Sequence, residues 1–401
     1  MAAPGMSREA RSTIVLSAGE ASGDRLGAGL AKALLARRPD LRLVGMGGAE
    51  MAAAGVEILQ DAGEVAVVGF SEVLSHLSAL RLAMGRLARC LEGERPDLLV
   101  PIDFPEFNLM LSGRAHRATV PVVYFVSPQI WAWRRGRVHK VRRLVRRMLV
   151  LFPFEVPFYR EAGVPVTFVG HPVVEKAAAA ADTAELARRA GLAPGQTVVA
   201  LLPGSRRSEV ERILPVMLEA ALLLRRTRPG LGFLLPLAPG LDRAVVDRHV
   251  EAAGLDGLQV HSGDFPDILR VCAAGAVASG TASLEAAIVG LPMVVVYRVA
   301  PLSYWIGRAL VRVEHIALPN LVARRRVVPE LVQADCTPPR IAAEIERYLA
   351  APEEASRVRA ELGGIRRELG RPGVFERAAE AVLAELDAVR GAPPAIIPDL
   401  R

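Results

Sequence analysis

Three polar strings in the first half of the chain carry side chains that could handle a sugar, and each follows an apolar run. The first is Ser17-Ala-Gly-Glu-Ala-Ser-Gly-Asp24. A glycine-rich turn that opens a helix ordinarily cradles phosphate on its backbone amides. Glu20 and Asp24 would repel phosphate, so this turn suits a neutral polyol whose hydroxyls meet the two carboxylates and Ser22. Helix capping by Ser22 or Asp24 is the competing role. The second string is Ile102-Asp-Phe-Pro-Glu-Phe-Asn108. A carboxylate at such a strand end can take a proton from an attacking hydroxyl if burial tunes its pKa. Asp103 is the candidate general base, with Glu106 and Glu20 as alternatives; Asn108 orients substrate or caps the next helix. The third is Ser127-Pro-Gln-Ile-Trp-Ala-Trp133, followed by Arg134, Arg135, Arg137, Lys140, Arg142 and Arg143. Aromatic rings beside arginine suit a sugar face next to a phosphate, which makes Gln129, Trp131 and Arg134 candidates. One buried tryptophan and an exposed basic helix would explain the same string.

The second half carries different loop chemistry. Leu202-Pro-Gly-Ser-Arg-Arg-Ser-Glu209 is cationic, and Gly204, Ser205 and Arg206 stand at a helix start, where amides, a hydroxyl and a guanidinium can converge on a diphosphate. Glu209 fits a capping position. In Ala278-Ser-Gly-Thr-Ala-Ser-Leu-Glu285, the small residues Ser279, Gly280 and Thr281 permit close backbone approach, and Glu285 can accept ribose hydroxyls. Asn320, Glu330 and Gln333 form a third polar cluster.

These loops need elements that hold them at one edge. Apolar runs at 13–17, 41–44, 98–102, 120–126, 148–152 and 166–169 alternate with helix-like segments, and the pattern restarts at 197–202, 232–237, 258–261, 275–279 and 293–297. Such alternation predicts α/β architecture with parallel sheets covered on both faces, and two such domains place a ligand cleft between their carboxyl edges. The predicted division is 1–176 for acceptor and lipid, 177–365 for the nucleotide sugar, and 366–401 as a C-terminal helix and tail that packs back on the first domain.

With 401 residues and 51% hydrophobic composition, the chain suits two cores and excludes global disorder. No apolar stretch reaches the roughly 20 residues of a spanning helix. Residues 1–12 hold no apolar signal core, and three scattered cysteines fit a reducing cytoplasm rather than a disulfide framework. A net charge of +7, almost all arginine, suits anionic partners. No recognised nucleic-acid module surrounds the basic segment.

Taken in order, the motifs resemble the lipid-A-disaccharide synthase family of bacterial glycosyltransferases. SAGEASGD at 17–24, GF-EVL at 69–74, ID-P-FN at 102–108, VSPQIWAW at 126–133, FPFE at 152–155, FVGHP at 168–172, LLPGSR at 201–206, ASGTASLE at 278–285, and LPN with PE-VQ at 318–333 all match. The resemblance covers about residues 13–385. It implies two Rossmann-like domains in a GT-B arrangement with an interdomain cleft. It further implies transfer of 2,3-diacylglucosamine from UDP to 2,3-diacylglucosamine 1-phosphate (lipid X), giving a β-1,6-linked disaccharide 1-phosphate and UDP, without cofactor or metal. The aspartate important for catalysis in the family falls on Asp103; Glu106 departs from the family's usual aspartate. With no His/Asp metal cluster apparent, helix termini and arginine are expected to stabilise departing UDP.

Because both substrates are acylated, an apolar face is expected, and Val67, Val68, Phe70, Leu74 and Leu77 supply a candidate. The expected location is cytoplasmic, peripheral on the cytoplasmic leaflet of the inner membrane, with homodimerisation open and no nucleic-acid partner. A different UDP-sugar enzyme of the same fold and a non-catalytic UDP-sugar or lipid-binding protein are the alternatives. A dinucleotide-dependent dehydrogenase is weaker, since neither half has G-x-G-x-x-G after its first strand.

Overall fold

Strands buried on both faces must be apolar throughout, and the central strands here are: Leu98–Ile102, Val198–Leu202 and Ala274–Ala278 have no residue that is not buried. The computed structural model describes residues 11–65, 73–176, 182–263, 265–300, 304, 308 and 314–391, and within helix Val73–Gly93 it describes side chains from residue 78 onward. The candidate acyl residues Val67, Val68 and Phe70 therefore lie outside the described residues, as do the side chains of Leu74 and Leu77. The chain forms two compact units, Met1–Gly170 with Gly373–Arg401, and His171–Pro372.

The first unit holds β1 (Thr13–Ala18), β2 (Arg42–Gly47), β3 (Glu57–Asp61), β4 (Leu98–Ile102), β5 (Val123–Phe125), β6 (Arg147–Val150) and β7 (Val166–Phe168). Their order is β3-β2-β1-β4-β5-β6-β7, and every pairing is parallel. The order reverses between β1 and β4, so their connections leave in opposite directions and open a crevice at the carboxyl ends. The strings beginning at Ser17 and Ile102 both emerge there. The core beneath joins Val15, Leu99, Tyr124, Met148 and Tyr159 to Leu87 and Leu111 from the covering helices. Helix Val374–Gly391 closes the same unit against helix Ala21–Arg37, where Gly29 leaves room for the Phe375 ring. Its Glu385, 7% exposed, receives Arg147 Nε at 2.7 Å and Arg146, pinning the helix to the start of β6.

The second unit repeats the plan with β8 (Val198–Leu202), β9 (Gly232–Leu237), β10 (Leu258–Ser262), β11 (Ala274–Ala278), β12 (Met293–Tyr297) and β13 (Glu330–Val332). Their order is β10-β9-β8-β11-β12-β13, again all parallel. The loops after β8 and β11, which carry Gly204–Arg206 and Ser279–Thr281, lie at this unit's own reversal. Two edge strands, β3 and β13, have no counterpart among the apolar runs of the sequence. Glu57–Asp61 is only partly covered and Glu330–Val332 is three residues long, so neither has the apolar run of a central strand. Among the described residues no helix is long and apolar enough to cross a membrane.

Candidate active site

In the first unit the site is built on a backbone reversal that few side chains adopt. Asp103 and Phe104 both have φ near +49°, in the left-handed region that costs a residue with a Cβ about 1–3 kcal/mol. Several bonds impose it. The Asp103 amide donates to Phe125 O at 3.1 Å, and its carbonyl accepts Tyr124 Oη at 2.8 Å and Asn108 Nδ2 at 2.8 Å. Gly19 is required opposite, because a Cβ there would fall 2.3 Å from the Phe104 ring. The turn thus holds the half-buried Asp103 carboxyl at the crevice beside the exposed Glu20. Burial first, and the charge of Glu20 second, push the Asp103 pKa up to about 6, against the donating Phe104 amide. An acid in that range is ionised at neutral pH and still basic enough to take a proton.

Glu106 has a different environment. Arg137 holds it at 2.5 and 3.0 Å and Arg134 at 3.0 Å, and this pairing keeps its carboxyl below the usual range. It serves better to tie Arg134 to the Asp103 loop than to act as a base. Arg134 also lies 4.2 Å over the ring of Trp133. Trp131 is half-buried, edge-on to Phe154 at 4.8 Å, while Gln129 is exposed on the same loop.

Two sequence candidates in this unit are engaged by the fold itself. Asp24 does not cap its own helix: its oxygens accept the amides of Gly48 at 2.7 Å and of Glu50 and Met51 at 3.1 Å, so it caps helix Ala49–Ala53. Asn108, fully buried, donates to Ser17 O at 3.0 Å as well as to Asp103 O, and accepts Ser17 Oγ at 2.7 Å. It staples the end of β1 to the end of β4 rather than facing the crevice. Ser22 is exposed in the first turn of helix Ala21–Arg37, whose N-cap, Glu20, makes no side-chain cap bond.

In the second unit, Gly204 adopts φ +116° and Ser205 and Arg206 are exposed at the start of helix Arg207–Thr227. Their amides are engaged by the Glu209 carboxylate at 3.2 and 3.3 Å, and Arg206 Nη1 reaches it at 3.2 Å. An anion therefore already sits on the loop, supplied by the chain itself. Gly280, at φ +147°, starts helix Thr281–Ile288 with Thr281 exposed, and Ser279 Oγ donates to Ile316 O at 3.1 Å. Glu285, 8% exposed, pairs through Oε1 with Lys176 Nζ at 2.7 Å.

The third cluster is tied together by its own hydrogen bonds. Asn320 Oδ1 accepts the amides of Val327 and Val328, and its Nδ2 donates to Val328 O and Glu330 Oε1. Glu330 receives the amides of Ile316 and Ala317, fixing the chain as it enters helix Leu318–Ala323. Gln333, at φ +52°, clamps both backbone groups of Val299. These side chains shape the edge after β12 and β13. Sequence reasoning assigned no role to Tyr124 or Lys176 and showed Arg137 only as one of a basic run, because their partners lie on other elements. Among the described residues no group of three His, Cys, Asp or Glu side chains is placed to hold a metal ion.

Comparison with known proteins shows the family. A family profile for lipid-A-disaccharide synthetase matches residues 14–383. The lipid-A-disaccharide synthase of Geobacter metallireducens is 48% identical over 373 residues, covering 93% of this chain and 97% of that protein. That of Myxococcus xanthus is 46% identical over 370 residues, covering 92% and 96%. Among solved structures, the UDP-GlcNAc 2-epimerase of Neisseria meningitidis aligns with a TM-score of 0.62 at 12% identity, over 93% of this chain and 99% of that one. A calicheamicin glycosyltransferase aligns at 0.60 with 17% identity, over 96% and 100%. These distant structures show a shared fold of two Rossmann-like units, whereas the close relatives show descent, and the chain belongs to the lipid-A-disaccharide synthase family of glycosyltransferases.

Proposed function

We propose that the chain transfers 2,3-diacylglucosamine from its UDP carrier to the 6-hydroxyl of 2,3-diacylglucosamine 1-phosphate, with inversion and without a metal ion. The observation that carries this reading is the Asp103 carboxyl, held in a strained turn at the reversal of the first sheet with its pKa raised to about 6. Asp103 takes the proton as the acceptor oxygen attacks the anomeric carbon, the bond from that carbon to the UDP oxygen breaks, and the product is β-linked. One displacement with one base requires no covalent intermediate on the protein. Glu20 keeps that base strong and can accept a sugar hydroxyl; Gln129, Trp131 and Arg134 take the remaining acceptor groups, with Arg134 meeting the 1-phosphate.

The departing diphosphate is stabilised in the second unit by Arg206, the Ser205 hydroxyl and the amides of the loop after β8, once Glu209 has turned away from them. Ser279, Gly280 and Thr281 approach the nucleotide through backbone, and the second oxygen of Glu285 receives ribose. These groups supply the charge that a divalent cation would otherwise bring.

We read the protein as peripheral on the cytoplasmic leaflet. Beyond the candidate acyl segment, helices Val73–Gly93 and Pro105–Arg117 leave a groove of about 840 Å³ lined by the apolar Leu80, Met84 and Met110 and by Arg81, Arg114 and Arg117, with Glu92 among them. Apolar and cationic side chains side by side suit acyl chains under anionic headgroups. Purified protein given both lipids in mixed micelles with EDTA is expected to release UDP only when acceptor is present, and to form a β-1,6 disaccharide. Acceptor-independent release, an α-linked product or full loss in EDTA would each reject the corresponding part of the reading.

A further inference from the structure

Lys176 ends helix Val173–Lys176, and its partner lies 109 residues further along the chain. Its Nζ donates to Glu285 Oε1 at 2.7 Å, and both residues belong to the second unit. The backbone explains the meeting. The Val173 amide donates to His171 Nδ1 at 3.1 Å and the Val174 amide to His171 O at 3.1 Å, while the Val173 and Val174 side chains are buried. The short helix is therefore anchored at its start and leaves Lys176 exposed at its last position. Glu285 comes from helix Thr281–Ile288, which begins directly after Gly280 and so shares the loop of Ser279 and Thr281.

The pair is asymmetric. Glu285 is buried, whereas the Lys176 side chain is 55% exposed. A carboxylate that has lost most of its water needs a charged partner, and an ammonium still in water gives up little to provide one. Such a half-exposed pair adds little to stability, so its weight falls on orientation. The last torsion of a glutamate has no sharp preference. A bond to Oε1 therefore decides where Oε2 points, and among the described residues Oε2 has no hydrogen-bond partner. A carboxylate oxygen only accepts hydrogen bonds, which suits the hydroxyls of a ribose.

We propose that Lys176 is a positioning residue for the donor, acting through Glu285 to hold its second oxygen toward the ribose hydroxyls. This rests on the reading of Glu285 as the ribose acceptor. Without the ammonium the carboxylate has nothing to fix its plane, and the ribose loses an oriented partner. The loop after β8, which meets the diphosphate, is untouched. Recognition of the nucleotide's sugar should therefore suffer while recognition of its phosphates does not.

The test is the binding of UDP and of 2′-deoxy-UDP to full-length protein by calorimetry, since the second nucleotide lacks one ribose hydroxyl. Wild type is expected to prefer UDP about tenfold. Lys176→Met is expected to bind UDP about tenfold more weakly and 2′-deoxy-UDP almost as wild type does, so that the preference disappears. Lys176→Arg, which keeps the charge, should retain most of the preference. A folded Lys176→Met that keeps it, or that loses both nucleotides equally, would overturn the proposal. So would a further loss of UDP affinity when Lys176→Met is added to Glu285→Gln, because the lysine would then act on the nucleotide by itself. If Lys176→Met fails to fold, Lys176→Gln carries the same question, and an unchanged preference there would count equally against it. Wild type without any preference, or Glu285→Gln with the preference intact, would instead remove the reading of Glu285 and the proposal with it.

Discussion

Replacing Asn108 by alanine should damage stability and turnover together, because one side chain supports both. The change deletes three well-formed bonds, to Ser17 O at 3.0 Å, to Asp103 O at 2.8 Å and from Ser17 Oγ at 2.7 Å, all in a fully buried place. A net contribution of about 1 kcal/mol per bond puts the expected loss at about 3 kcal/mol, with some of it from the Ser17 groups left unpaired. The same bonds hold the left-handed Asp103–Phe104 turn, whose backbone strain is of the order of 1–3 kcal/mol per residue. Released from Asn108, the turn keeps Tyr124 Oη on the Asp103 carbonyl but can relax toward ordinary backbone, and the carboxyl swings with it. A misplaced base should lower kcat at least tenfold, equivalent to about 1.4 kcal/mol of barrier. Urea unfolding followed by tryptophan fluorescence in a Trp305→Phe background, which leaves Trp131 and Trp133 of the first unit as reporters, reads the stability term, and initial rates at saturating substrate read the second. A loss below about 1 kcal/mol, or full kcat in folded variant, would refute the assignment of Asn108 as the staple of the site.

Two further outcomes follow from the same geometry. Asp103 must be ionised to accept a proton, so kcat/KM should fall as pH drops through about 6 and level off above it; Glu20→Gln removes a like charge and should move that midpoint lower, and an unmoved midpoint would detach the acid limb from this pair. Glu209→Ala frees the Ser205 and Arg206 amides, so UDP should bind about fivefold tighter, the equivalent of about 1 kcal/mol, at a similar cost to the helix from its lost cap; UDP binding tenfold weaker by calorimetry would mean that Glu209 assists the donor.

Much of the scaffold was legible because parallel strands buried on both faces read as unbroken apolar runs, and because chemistry in such sheets gathers at their carboxyl ends. The central strands and the strings that follow them are visible in the sequence for that reason. Of the four edge strands, β7 and β10 carry apolar runs and are visible, whereas β3 and β13 are not, because Glu57–Asp61 has polar ends and Glu330–Val332 is three residues long. Individual polar roles were harder to read. Asp24, Asn108, Asn320, Glu330 and Gln333 have the residue types of a binding site, and each is also bonded to backbone that the fold brings from elsewhere. Spacing alone cannot tell a carboxylate awaiting a hydroxyl from one already holding three amides. The same limit applies to Glu209, which stands where an anion belongs because it is one.

The central claim is that Asp103 is the base that activates the acceptor. It is tested most directly by comparing Asp103→Asn with Glu106→Gln in acceptor-dependent UDP release. Asp103→Asn should lose at least about a hundredfold in kcat with UDP affinity within twofold of wild type, while Glu106→Gln, whose carboxylate is already engaged by Arg134 and Arg137, should stay within tenfold. An Asp103→Asn enzyme that keeps a tenth or more of its turnover, or a Glu106→Gln enzyme that loses a hundredfold, would contradict the account.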